Sequence, residues 1–105
     1  MENLNEKAWA SQLNQDDNAI VLDVRTDEEI NEGIIKNAIH ADIQNPQEFM
    51  TILERLDKEK SYYVYCRSGK RSQMACEIMK QSGFKTTYNL DGGISSWTGE
   101  IVSLQ

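Results

Sequence analysis

A chain of 105 residues has the length of one domain, and with 39% hydrophobic and 27% charged residues it is made up like an ordinary folded protein, which excludes disordered and fibrous classes. Its net charge of −6 argues against a nucleic-acid binder or an acidic-membrane binder, because both partners attract a basic face. Residues 1–10 are polar and charged from the second position, and no stretch nears the ~20 apolar residues of a membrane span, so a cytoplasmic location is the expectation.

In chain order, Ala8, Trp9 and Leu13 stand at helical spacing and predict a short first helix over 5–13. Ala19 to Val24 is a compact apolar run rich in β-branched residues, the pattern of a strand buried on both faces of a parallel sheet. Thr26 followed by Glu29 is a capping box, so a helix should start there and stop near Gly33, with a brief extended piece around 38–43. Asn45, Pro46 and Glu48 mark a second capped helix carrying Phe49, Ile52, Leu53 and Leu56. Tyr62 to Tyr65 reads as a strand that ends at Cys66, and residues 66–71 as a polar loop. Met74, Ala75, Ile78 and Met79 predict a helix from Ser72 to a stop at Gly83. Thr86 to Leu90 is a last strand, and Asp91-Gly92-Gly93 a turn ahead of a short helical segment with Ile94 and Trp97. Strands alternating with helices over short connections imply an α/β architecture with a mostly parallel sheet.

Cys66 and Cys76, ten residues apart, match neither a zinc-ligand pair nor a disulfide framework, so reduced thiols are expected. In an acidic chain, Arg67, Lys70 and Arg71 crowd beside Cys66 at the carboxyl end of a strand, where open α/β sheets bind ligands and the next helix presents its N–H groups. That combination favours a thiolate and forms an anion site around it, without a general base. Gly69 suits a loop whose amides curl toward one point. The one histidine, His40, is far back in sequence and reads as structural or exposed, which disfavours a Cys-His protease.

Leu22-Asp23-Val24-Arg25 with Glu29 and Gly33, the loop from Cys66 to Ser72, and Leu90-Asp91-Gly92-Gly93-Ile94 with Trp97 together resemble the rhodanese homology domain, over about residues 5–99 of a single domain spanning 1–105. The resemblance implies a parallel five-stranded sheet with helices on both faces. It implies a thiosulfate sulfurtransferase in which Cys66 takes sulfane sulfur from thiosulfate or a persulfide, becomes a persulfide, and passes the atom to cyanide, a thiol or an acceptor protein. Amides from Arg67 through Ser72 would surround the terminal sulfur, with Arg67, Lys70 and Arg71 on the donor's oxyanion and Ser68, Gly69 and Ser72 completing the loop. Asp23 would support the loop or Arg25. No metal or organic cofactor is called for. The family commonly has Gly-His-Ile and a second glycine where this chain has Gly33-Ile34-Ile35 and Asn37-Ala38.

Other expectations are plainer. Arg25 and Glu29, four apart, are spaced for a local ion pair worth about 0.3–0.5 kcal/mol. Cys76 should be partly buried on the flank of the Met74/Ile78 face, Met74 and Met79 should be core, and Trp9 and Trp97 should serve packing. Two rival functions share these residues. A cysteine phosphatase or arsenate reductase is disfavoured because four residues separate Cys66 from Arg71, one fewer than in the related cell-cycle phosphatases, and Tyr65 stands where those have histidine. A non-catalytic interaction module would have no reason to keep the thiol and its clustered charge.

Overall fold

The computed structural model describes residues 1–104. Its centre is a five-stranded, wholly parallel sheet in the order β1-β6-β5-β2-β4, made of β1 (Glu2–Leu4), β2 (Ala19–Asp23), β4 (Ile39–His40), β5 (Ser61–Tyr65) and β6 (Thr86–Leu90). A separate antiparallel pair joins β3 (Ile34–Ile35) to β7 (Ile101–Val102). The helices are α1 (Glu6–Gln15), α2 (Asp27–Ile30), α3 (Pro46–Arg55) and α4 (Lys70–Gln81), with a 3-10 turn at Ile94–Ser96. The α/β architecture with helices on both faces of a parallel sheet is as expected.

The period-2 alternation of β5 divides the core in two. Tyr62 and Val64 join Leu22, Val24, Phe49, Leu53, Ala75, Cys76 and Met79 on the side covered by α3 and α4. Tyr63 and Tyr65 join Trp9, Val21, Ile35 and Leu90 on the α1 side. Trp9 is fully buried and meets Tyr63, Tyr65 and Trp97 edge-on, with ring centroids 5.5–6.3 Å apart, so both tryptophans do serve packing. Each such fully buried side chain contributes roughly 1.5–3 kcal/mol of transfer free energy.

Several local expectations change. The Thr26–Glu29 capping box forms, but the second does not: Asn45 accepts no cap hydrogen bond and instead donates its amide to Glu48 at 3.2 Å. Helix α4 starts at Lys70, two residues before the predicted Ser72, because Gly69 takes the N-cap position with φ +101°, a conformation that requires no apolar residue to announce it. The buried stripe of α4 is Ser72, Ala75, Cys76 and Met79; Met74 is 57% exposed, off the core face where it was expected. Strands β1, β3 and β7 escape a pattern reading because each has two or three residues, too few to show a period. Gly83 ends α4 as predicted. Asn37 has φ +69°, and asparagine is among the side chains that best tolerate this left-handed region.

Candidate active site

Cys66 leaves the carboxyl end of β5 and is followed at once by a turn that becomes the first turn of α4. The chain curls so that donors converge on the sulfur: the Gly69 N–H donates to Sγ at 3.1 Å and the Ser72 hydroxyl donates at 3.3 Å. The amides of Ser72 and Ser68 are turned toward it as well. Cys66 has no exposed surface, and that burial by itself disfavours the thiolate; the Ser72 hydroxyl and the Ser72, Gly69 and Ser68 amides outweigh it, holding the thiol below its ordinary value. The stabilisation thus comes from oriented dipoles, ahead of the neighbouring cations that the sequence brings forward.

Those cations are dispersed. Arg67 and Lys70 are exposed, and Arg71 is held by Glu29 through two hydrogen bonds of 2.7 and 2.8 Å. Arg71 draws Glu29 down to about 2, chiefly through those bonds. The Arg25–Glu29 ion pair expected from their spacing does not form, because Glu29 faces α4 while Arg25 turns back to the buried Asp23. Arg25 Nη2 and Nε donate to the Asp23 carboxylate at 2.9–3.2 Å, and Arg25 also donates to the carbonyls of Gly33 and Glu29. Asp23 and Arg25 therefore clamp the end of β2 to the turn before β3. His40 gives Nε2 to the Arg25 carbonyl at 2.6 Å, with Nδ1 at 3.7 Å from Asp27, a structural placement.

The Leu90–Ile94 segment forms the outer brace of the loop. The Ile94 N–H donates to the Cys66 carbonyl at 2.9 Å and the Ser95 N–H to the Arg67 carbonyl at 3.0 Å. A Cβ on Gly93 would lie 2.3 Å from the Arg67 carbonyl oxygen, which explains glycine there. From inside, Asn89 donates its amide to the Gly69 carbonyl at 3.1 Å and to Asn3 Oδ1 at 2.8 Å, while its own Oδ1 is buried without a partner. From the sequence, Asn89 is an ordinary residue of the Thr86 to Leu90 strand. The available signal was its inward position on β6, two residues from Thr87, where an apolar side chain is the ordinary choice.

Beside the loop lies a cleft of about 250 Å³ lined by Arg25, Glu29, Glu32, Gly33, Arg67, Ile94, Ser95 and Ile101. Cys66 is not itself part of the lining; its neighbour Arg67 is, as is Ile94, whose N–H is bonded to the Cys66 carbonyl. Cys76, one turn beyond Ser72, is fully buried rather than partly so, and burial pushes its thiol up to about 11.

A thiol held by inward-facing amides at the carboxyl edge of a parallel sheet sets the class: an α/β domain with a dipole-cradled cysteine loop. The family model of the rhodanese-like domain matches residues 6–100, and the chain belongs to that family. It is 38% identical over 100 residues to YtwF of Bacillus subtilis (strain 168), a protein named as a candidate sulfurtransferase, covering 95% of this chain and 93% of that one. It is also 38% identical over 101 residues to the tRNA uridine(34) hydroxylase of Legionella pneumophila (strain Paris), covering 93% of this chain but 39% of that protein. A rhodanese-like domain protein of Staphylococcus aureus superposes with a TM-score of 0.85 at 26% identity, covering the whole of both chains. The family is one capable of cysteine-based sulfur chemistry, and relatives divide between sulfurtransferases and tRNA hydroxylases. No helix of the described residues is long and apolar enough to cross a membrane.

Proposed function

We propose that the protein is a sulfurtransferase that carries sulfane sulfur on Cys66. The observation that carries this reading is the convergence of the Gly69 N–H and the Ser72 hydroxyl on Sγ, which favours the nucleophilic thiolate and leaves amides aimed where a persulfide's anionic terminal sulfur would sit. The Cys66 thiolate attacks the outer sulfur of thiosulfate or of a persulfide; the new S–S bond forms as the donor's own breaks, and sulfite or a thiolate departs with the electron pair. The Cys66 persulfide then hands the atom to cyanide, a thiol or an acceptor protein.

In this mechanism Ser68, Gly69 and Ser72 stabilise the charge on sulfur, Arg67 and Lys70 draw the donor, and Asp23, Arg25 and Arg71 hold the surroundings in shape. Intact mass after thiosulfate or persulfide treatment tests the reading: a gain of about 32 Da, the mass of one sulfur, is expected on Cys66 and lost in Cys66→Ser. No gain with any donor overturns it, and para-nitrophenyl phosphate hydrolysis in its place would favour the phosphatase chemistry.

A further inference from the structure

The cleft beside the thiol carries charge of both signs, and most of that charge is already paired. Arg25 is taken by buried Asp23 and two carbonyls, and Glu29 holds Arg71. Of the charged lining, Arg67 and Glu32 remain; both are exposed, and neither has an ion-pair partner among the described residues. Ile94 and Ile101 supply an apolar wall. The lining is therefore formally neutral, two arginines against two glutamates, in a chain of net charge −6. An inorganic dianion entering it meets one available cation and one opposing carboxylate. A small molecule with one carboxylate and one ammonium finds a counter-charge for each.

We infer that this site takes its sulfur from a zwitterionic amino-acid persulfide of about the size of cysteine persulfide, with the donor's carboxylate on Arg67 and its ammonium on Glu32. The volume of about 250 Å³ accommodates such a molecule and is small for a peptide. In the transfer, the Cys66 thiolate attacks the terminal sulfur of the neutral persulfide; the Cys66 S–S bond forms, the donor's S–S bond breaks, and the amino-acid thiolate leaves with the electron pair and is protonated by solvent. Glu32 is thus a specificity determinant: it selects among donors and takes no part in bond making. This inference rests on the sulfurtransferase reading and names the donor for it.

The test measures single-turnover sulfur uptake by Cys66 in the full chain, read by intact mass, with four donors: thiosulfate and the persulfides of cysteine, N-acetylcysteine and cysteamine. Each rate is normalised to the donor's reaction with a free small thiol. Cysteine persulfide is expected to be the preferred donor. Glu32→Gln should lower the preference for cysteine persulfide over N-acetylcysteine persulfide roughly fivefold, the scale of an exposed ion pair. Arg67→Gln should lower the preference for cysteine persulfide over cysteamine persulfide by a similar factor, and Glu32→Lys should raise the relative rate with thiosulfate. If thiosulfate is the preferred donor of the wild type, or Glu32→Gln changes all four rates alike or none, the inference is overturned while sulfur uptake on Cys66 still stands. If no donor charges Cys66, the sulfurtransferase reading itself falls.

Discussion

Cys66 and Cys76 are both fully buried, lie ten residues apart, and flank the same first turns of α4, yet their acidities move in opposite directions. Around Cys76 the Thr87 hydroxyl opposes burial and loses, so the thiol is pushed up to about 11. Around Cys66 a hydroxyl and three amides oppose burial and win. Burial thus does not by itself decide how acidic a buried cysteine is. The number and aim of the dipoles around it do, because in a poorly screened interior each oriented N–H acts on the charge at close to full strength.

The widest test of this contrast exchanges the two thiols' fates: Cys66→Ser should remove all sulfur uptake, whereas Cys76→Ser should retain it, both read by mass after donor treatment. Next in size, Gly69→Ala forces a side chain into φ +101°, with its Cβ 3.3 Å from the Gly92 nitrogen and the Leu90 carbonyl oxygen. We expect a loss of about 1–2 kcal/mol in urea unfolding, together with a slower transfer, because the Gly69 N–H no longer points at the sulfur. Ser72→Ala removes a hydrogen bond to the thiolate, of a kind worth about 1.5–3 kcal/mol, and should slow alkylation of Cys66 at pH 7 roughly tenfold. That deficit should fade at alkaline pH, where the thiol of the variant also ionises; a deficit independent of pH would count against the dipole account.

A smaller effect separates dipoles from cations. Glu29→Gln releases Arg71, and if the amides and hydroxyl dominate, Cys66 alkylation should change by less than about threefold. The same variant reads the ion pair itself. Glu29 is lowered from 4.5 to about 2, so its contribution to stability should be complete above about pH 4.5 and disappear as pH falls toward 2. The stability difference between wild type and Glu29→Gln, followed by urea unfolding across that range, should shrink accordingly. The least change is expected at Cys76, which should stay unmodified by iodoacetamide at pH 8 in the native protein and react on unfolding.

Much of this arrangement was legible in the sequence. The run AIVLDV and the four residues YYVY announced their strands because a strand buried on both faces is nearly continuous in hydrophobic and aromatic residues, Asp23 being the exception. The loop from Cys66 to Ser72 stood out through charge and glycine, and the Asp91-Gly92-Gly93 turn through its residues. What stayed hidden depends on partners distant in the chain. Arg71 chose the Glu29 carboxylate, forty-two positions earlier, over any neighbour, and Arg25 took the Asp23 carboxylate two residues back in place of that of Glu29. The contact of Asn89 with the Gly69 carbonyl, twenty positions earlier, takes shape only once the sheet is assembled, and the inward place of Asn89 on β6 was its one hint.

The outermost strand has a consequence beyond closing the sheet. β1 lies against β6, and Asn3 on it grips Asn89, which in turn grips the Gly69 carbonyl. Residues 2–4 therefore act as a splint for the loop around Cys66. Substitutions that fray this strand, Asn3→Ala among them, should slacken the sulfur's surroundings while leaving the core largely intact.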